Sequence, residues 1–129
     1  MSDNKKTIFI VDDDEFILDM YAIKFREEGF EVEVAKSGEE ALRRVREGFY
    51  SQITLLDIIM PGLDGFEFLR IMKKENLLRD SLIVVLTNLG QKEDVQRALD
   101  LGAHDYIVKA HFTPLEVVKK VNSLLEHRS

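Results

Sequence analysis

The sequence predicts an α/β fold in which five parallel strands form one open, doubly wound sheet. Short apolar runs alternate five times with longer stretches of helical periodicity. Most of the apolar runs are continuous, as expected for strands that helices cover on both faces. Each β-α unit takes about 25 residues, which leaves room for a connecting helix after every strand.

Five short segments are predicted to be strands: residues 7–11, 31–35, 53–56, 82–86 and 106–108. The second segment alternates, because Glu31 and Glu33 separate its apolar residues, so we expect it at an edge of the sheet. At this size the favoured arrangement is the flavodoxin-like strand order 2-1-3-4-5. The carboxyl ends of strands 1 and 3 then meet at the switch point where such folds bind ligands.

Capping residues and apolar periodicity predict the helices between the strands. Capping-box spacing joins Ser37 to Glu40, Asp64 to Glu67 and Thr113 to Glu116, and Asp14 is expected to cap the first helix. Glycines stand where the first, second and fourth helices should end, at Gly29, Gly48 and Gly102. The residues expected in the core are Phe16, Ile17, Met20, Phe25, Leu42, Val45, Val117, Val121 and Leu124.

Length and composition limit the classes of protein to consider. The 129 residues, 45% hydrophobic, suit a single domain over residues 1–129 with a core of about 6–126. The net charge of −6 argues against direct nucleic-acid binding, and the lack of cysteine excludes disulfides and thiolate metal sites. There is no apolar run of membrane-spanning length, and residues 1–6 lack the apolar segment of a signal peptide, so we expect a cytoplasmic protein without membrane contact.

Acidic residues follow two strands that should be neighbours. Asp12 and Asp13 follow the first strand and Asp57 follows the third. Their carboxylates would repel each other at one rim unless a cation lies between them. Because all the available ligands are oxygens, Mg²⁺ is preferred over zinc or copper.

Two further polar residues should reach the same rim. Thr87 follows the fourth strand and Lys109 the fifth. A carboxylate beside a metal can attack phosphorus, so Asp57 is a candidate nucleophile. Lys109 would neutralise phosphoryl oxygens and the Thr87 hydroxyl would donate a hydrogen bond to another.

These residues resemble the signature of response-regulator receiver domains. The segment 55–65, LLDIIMPGLDG, is similar to their phosphoacceptor region, and Asp12 and Asp13 are similar to their acidic pair. The resemblance implies that a histidine kinase or histidine phosphotransfer protein phosphorylates Asp57. It also implies that Asp13, Asp57 and the backbone carbonyl of Ile59 bind Mg²⁺, with Asp12 acting mainly through water.

The resemblance further implies how the signal leaves the site. Thr87 would move toward the phosphoryl group and Tyr106 would turn inward, which would reshape the surface of the fourth helix, fifth strand and fifth helix. Candidate residues of that surface are Val95, Leu99, Tyr106 and Val118. The domain would then bind a downstream protein or pass the phosphoryl group on, as a monomer or a weak phosphorylation-dependent dimer, and would not be a turnover enzyme.

Two positions depart from the receiver pattern. Receivers usually follow the lysine with a proline, often in a cis bond, but Ala110 and His111 follow Lys109 here. A non-proline cis bond costs about 2.5–4 kcal/mol, so we expect either a rearranged trans loop or a strained one, with Lys109 aimed differently. Asn88 replaces a usually small residue and is a possible phosphate contact that would alter dephosphorylation kinetics.

Three alternatives remain at this point. Residues 8–14 also resemble the nucleophile motif of haloacid-dehalogenase-type phosphatases, in which Asp12 would carry the phosphoryl group, although Glu15 departs from that motif. A flavodoxin-type flavin binder would share the fold, but three aspartates would repel the flavin phosphate. A pseudo-receiver would use the fold to bind proteins without phosphorylation, and the intact acidic residues argue against it.

Overall fold

The computed structural model describes residues 5–128 as one five-stranded sheet flanked by helices. Its elements are β1 (Lys6–Val11), α1 (Glu15–Glu27), β2 (Phe30–Ala35), α2 (Gly38–Arg46), β3 (Ile53–Leu56), α3 (Gly65–Glu75), β4 (Leu82–Thr87), α4 (Lys92–Asp100), β5 (Asp105–Val108) and α5 (Pro114–Glu126), with a 3-10 turn at Lys109–His111. No helix within these residues is both long enough and apolar enough to cross a membrane. Most of the polar amino-terminal segment used in the signal-peptide argument, residues 1–4, lies outside this range.

The sheet has the predicted topology. Its strand order is β2-β1-β3-β4-β5, and all four pairings are parallel. All five predicted strands are present, and their observed ends differ from the predicted ones by no more than one residue. The alternating strand β2 lies at an edge, as predicted.

Two apolar layers cover the two faces of the sheet. Alternate residues of β1 divide between them: Phe9 and Val11 face α2, α3 and α4, whereas Ile8 and Ile10 face α1 and α5. The central strand β3 is buried along its whole length, because helices cover both of its faces. This arrangement explains the continuous apolar runs of the sequence.

One predicted core residue is wrong. Phe16 is 80% exposed, whereas Phe25, Leu42, Val45, Val117 and Val121 are buried, and Ile17, Met20 and Leu124 are partly buried against the core. The buried stripe of α1 runs through Leu18, Tyr21, Ala22 and Phe25. Phe16 precedes Leu18 by two residues, which places it roughly 200° away around the helix, on the solvent side.

The helix ends follow the predicted capping residues, with one difference. Asp14, Ser37, Asp64 and Thr113 each cap a helix by accepting hydrogen bonds from backbone amides of its first turn. Of the three predicted pairs, only Thr113 and Glu116 form the reciprocal box. Glu40 instead accepts from the Lys36 amide and Glu67 pairs with Arg70, so capping-box spacing located the helix starts but not these glutamate contacts. Gly29, Gly48 and Gly102 have positive φ directly after helix ends, as predicted.

Candidate functional site

The carboxyl ends of β1 and β3 bring three aspartates together. Asp12 and Asp57 are buried, with 3% and 7% of their surface exposed. Asp13 is exposed. One carboxylate oxygen from each residue lies within 4.8 Å of the others. The predicted acidic site is therefore present at the switch point of the sheet.

Backbone hydrogen bonds fix the two buried carboxylates. The Asp12 amide donates to Ala35 O at 3.2 Å and the Asp57 amide donates to Val11 O at 3.0 Å, so both residues continue the sheet ladder. Asp12 Oδ1 accepts from the Asp14 amide at 3.0 Å, and Asp57 Oδ1 accepts from the Ile59 amide at 3.2 Å. In each residue a backbone amide two positions later binds Oδ1, so Oδ2 is the oxygen that faces other groups of the site.

Lys109 neutralises both buried carboxylates. Its Nζ atom lies 2.7 Å from Asp12 Oδ2 and 3.1 Å from Asp57 Oδ2. Burial raises the pKa of Asp12 above its ordinary value, although the hydrogen bond from Lys109 opposes that shift. Burial alone would lower the pKa of Lys109, but its hydrogen bond to Asp12 and the charge of Asp57 outweigh burial and leave the pKa raised. The lysine therefore stays protonated at neutral pH.

The loop after Lys109 is a rearranged trans loop, the first of the two expected forms. All peptide bonds within residues 5–128 are trans. Residues Lys109–His111 form a 3-10 turn, which the Phe112 amide closes by donating to Lys109 O at 3.2 Å. None of the positive φ values of non-glycine residues falls in this loop. From this loop the Lys109 side chain reaches both buried aspartates. That it aims differently from the lysine of other receivers stays a prediction.

Thr87 and Tyr106 meet at Leu89. Thr87 is fully buried at the end of β4, and its Oγ1 accepts from the Leu89 amide at 3.4 Å. The Tyr106 hydroxyl donates to Leu89 O. Burial, followed by the charges of Asp94 and Asp57, raises the pKa of Tyr106 to about 12. Asn88, between these groups in sequence, is exposed.

The donor set fits a hard divalent cation. Asp12, Asp13 and Asp57 offer only carboxylate oxygens, and these oxygens are already close enough to share one ion. The like charges have a counterion in Lys109, which a cation would supplement. The triad could thus hold a metal ion.

Sequence reasoning missed three contacts around the site. Leu89 acts through its backbone, so nothing in its side chain could have revealed its contacts with Thr87 and Tyr106. Glu39 of α2 accepts from the Leu63 amide in the loop after Asp57. An acidic residue in the first turn of a helix is already explained by its favourable interaction with the helix dipole. The sequence therefore gave no reason to expect a contact between Glu39 and a distant loop.

Comparison with known proteins identifies the family. Residues 8–122 match the family described as "Response regulator receiver domain". The chain belongs to the response regulator receiver family. It is 32% identical over 124 residues to the phosphate regulon transcriptional regulatory protein PhoB of Klebsiella pneumoniae, an alignment that covers 96% of the chain and 53% of that protein.

Solved receiver structures have the same fold as this chain over nearly its whole length. The receiver domain of the Francisella response regulator 1452 has a TM-score of 0.85 at 30% identity, with 97% of this chain and all of that one covered. The BeF3-activated receiver domain of DrrB, a Thermotoga maritima protein, has a TM-score of 0.80 at 29% identity, with 95% and 98% covered.

Family membership decides one of the earlier alternatives. A receiver is a phosphoacceptor signalling module rather than a turnover enzyme, so the phosphatase reading with Asp12 as nucleophile is dropped. The receiver spans about half the length of PhoB. An activity that such a longer relative has outside the matched region cannot be assigned to this chain from its family membership.

Proposed function

We propose that this receiver accepts a phosphoryl group on Asp57 in a magnesium-dependent reaction, from a histidine kinase or a histidine phosphotransfer protein. The observation that carries the proposal is the buried Asp57 carboxylate, 3.1 Å from Lys109 Nζ and next to the Asp12 and Asp13 oxygens. Receivers as a family are phosphorylated by histidine kinases, and this site has the charges that such a transfer needs.

The transfer requires Asp57 to act as a nucleophile. A carboxylate oxygen attacks the phosphorus of a phosphohistidine, a new P–O bond forms, and the P–N bond breaks. The electron pair of that bond stays with the imidazole nitrogen of the donor, which takes a proton if it leaves as an anion. Lys109 stabilises the charge on the transferring group from its position beside Asp57.

The residues proposed to hold Mg²⁺ are Asp13, Asp57 and the backbone carbonyl of Ile59, with Asp12 acting mainly through water. When bound, the ion neutralises phosphoryl oxygens and offsets the repulsion among the aspartates. The Ile59 amide bonds to Asp57 Oδ1, so the residue that would supply the carbonyl is already tied to the phosphoacceptor. Asn88 is exposed beside Thr87 and stays a possible phosphate contact.

The proposed output begins at Thr87. A move of its hydroxyl toward the phosphoryl group would release the Leu89 amide, and Leu89 also carries the acceptor of the Tyr106 hydroxyl. A displacement of Leu89 would then change the surface of α4, β5 and α5, because these elements would make different contacts in the phosphorylated and unphosphorylated states. Leu99 is 40% exposed and can contribute to that surface, whereas Val118, another candidate, is buried.

The proposed partners are proteins. A donor would approach Asp57 past Ile59, whose amide binds the Asp57 carboxylate and which is 56% exposed. A downstream protein would bind the α4-β5-α5 surface or take the phosphoryl group onward. A single domain over residues 1–129, a cytoplasmic location and a monomer or weak phosphorylation-dependent dimer stay predictions, as does the absence of direct nucleic-acid binding.

Trifluoroberyllate, a phosphoryl analogue, tests the proposal without a kinase. The DrrB receiver is described as activated by BeF3. In the present chain the buried carboxylate of Asp57 is the group to which this analogue would bind. We expect a bound fluorine signal by 19F NMR that needs both Mg²⁺ and Asp57 and is absent in Asp57→Asn. Binding of Mg²⁺ by calorimetry without any bound fluoroberyllate would favour the pseudo-receiver alternative instead.

A further inference from the structure

The loop between β3 and α3, residues 57–64, carries Asp57 and Ile59. Two hydrogen bonds form where this loop meets the adjoining elements. The Ile59 amide donates to Asp57 Oδ1 at 3.2 Å, and the amide of Gly65, the first residue of α3, donates to Ile58 O at 2.9 Å. A Cβ on Gly65 would overlap Asp57 O, so α3 begins in direct contact with the phosphoacceptor backbone. These bonds close the base of the loop and leave its middle to be held from elsewhere.

Helix α2 holds the middle of the loop. Glu39 Oε2 accepts from the Leu63 amide at 2.9 Å. A Cβ on Gly62, whose φ is +75°, would overlap the same carboxylate oxygen. A Cβ on Gly38 would in turn overlap Leu63 O. Two successive residues of α2 therefore lie against two successive residues of the loop, and side-chain-free backbone at Gly38 and Gly62 permits the approach.

The start of α2 is itself anchored to the other half of the site. Ser37 Oγ accepts from the Glu40 amide and Glu40 Oε1 accepts from the Lys36 amide, both at 3.0 Å. One residue earlier, Ala35 O accepts from the Asp12 amide at 3.2 Å. The β2-α2 connection thus links the backbone of Asp12, at one end, to Glu39 and the loop of Ile59, at the other.

We propose that Glu39 is a positioning residue for the metal site, which holds the Ile59 segment in place through its hydrogen bond to the Leu63 amide. This rests on the proposed function, because it supposes that the Ile59 carbonyl binds Mg²⁺. Glu39 does not touch the carboxylates that would carry the phosphoryl group. Loss of the bond would loosen one ligand and leave Asp12, Asp13, Asp57 and Lys109 in place.

Three variants separate the hydrogen bond from the charge. Glu39→Ala removes both, and Glu39→Gln removes the charge but keeps a carbonyl oxygen as acceptor. Glu47→Ala is the matched control, an exposed glutamate just beyond the other end of α2 whose ion pair is with Arg43. Each purified variant is compared with wild type for the Mg²⁺ dissociation constant by calorimetry and for the phosphorylation rate by acetyl phosphate at increasing Mg²⁺. Thermal unfolding checks that each variant is folded.

We expect Glu39→Ala to weaken Mg²⁺ binding by about tenfold, a typical cost of losing a residue that orients a metal ligand, while the rate at saturating Mg²⁺ stays near wild type. Glu39→Gln and Glu47→Ala should bind Mg²⁺ like wild type. Equal weakening in Glu39→Ala and Glu39→Gln, or none in Glu39→Ala, would overturn the role assigned to the hydrogen bond. Failure of wild type itself to bind Mg²⁺ or to be phosphorylated would instead refute the proposed function.

Discussion

Lys109 Nζ lies 2.7 Å from Asp12 Oδ2, and this contact joins the last strand of the sheet to the first. The same nitrogen lies 3.1 Å from Asp57 Oδ2. Both carboxylates are buried, so the ammonium group is their counterion within the protein. The lysine therefore has a structural role in addition to its proposed contact with the phosphoryl group.

Replacing Lys109 with methionine should destabilise the protein and make it depend on Mg²⁺. Breaking a buried ion pair leaves an uncompensated charge, at a cost of about 3 kcal/mol. Urea unfolding with and without Mg²⁺ measures this, and we expect Mg²⁺ to restore more stability in Lys109→Met than in wild type. Lys120→Met is the control, because Lys120 pairs with Asp105 at 3.7 Å and keeps 41% of its side-chain surface exposed, against 12% for Lys109. Equal losses in both variants would show that Lys109 is not a buried counterion.

Truncation of two phenylalanines of α1 should have opposite outcomes. Phe25 is fully buried, so Phe25→Ala should cost about 3–5 kcal/mol of unfolding free energy. Phe16 is 80% exposed, so Phe16→Ala should change that energy by less than about 0.5 kcal/mol. Chemical denaturation of the pair measures both values. A large loss in Phe16→Ala would mean that this ring packs against the protein.

The fold was predictable because each local pattern agreed with the topology. Continuous apolar runs identified buried strands, and the glutamates of β2 identified an edge. Phe16 was misplaced because periodicity gives a helix several apolar residues, but only the position of the core decides which side of the helix is buried. The exposure of Val118 stayed open for the same reason, and in the structure two adjacent residues of α5, Val117 and Val118, both face inward.

The site was predictable where residues follow strand ends, and less so elsewhere. Asp12, Asp57 and Lys109 converge because parallel strands end at one edge. The residues after Lys109 are compatible with a 3-10 turn and also with a strained loop. The sequence therefore could not predict which of these two conformations the loop adopts. The contact of Glu39 with Leu63 depends on how closely α2 approaches the loop, which only tertiary packing determines.

His104 should make stability depend on pH. Its Nδ1 lies 3.0 Å from the Ile83 amide nitrogen, which donates to it, so the neutral ring fits the folded state. Burial, followed by the charge of Arg128, lowers the pKa of His104 below the ordinary 6.5. The unfolded chain then binds the proton more readily, so this contribution to stability is present above pH 6.5 and is lost as the pH falls from there through the lowered pKa.

Urea midpoints measured between about pH 5 and pH 8 test that dependence. We expect His104→Gln to show a flatter profile over this range than wild type. His111→Gln is the matched control for the loss of a histidine, because His111 is exposed in the 3-10 turn. An identical profile in wild type and His104→Gln would contradict the assignment of this titration to His104.

Removal of the Tyr106 hydroxyl should uncouple the output from the site. The hydroxyl, with a pKa raised to about 12, stays a donor to Leu89 O at neutral pH. Tyr106→Phe should lower the unfolding free energy by about 1 kcal/mol and still allow fluoroberyllate binding. The NMR shifts that this ligand induces in α4, β5 and α5 should shrink.

Tyr50→Phe is the matched control for Tyr106→Phe. The Tyr50 hydroxyl also donates to a backbone carbonyl, Asp80 O at 3.0 Å, but this contact lies at the other end of the sheet. Its removal should leave the induced shifts unchanged. Full-sized shifts in Tyr106→Phe would show that the signal does not pass through this hydroxyl.

The central claim is tested most directly by intact mass after incubation with acetyl phosphate, with and without Mg²⁺, for wild type and Asp57→Asn. We expect wild type to gain the mass of one phosphoryl group only when Mg²⁺ is present, and Asp57→Asn to gain none. Persistence of the same adduct in Asp57→Asn would contradict the assignment of Asp57 as the phosphoacceptor.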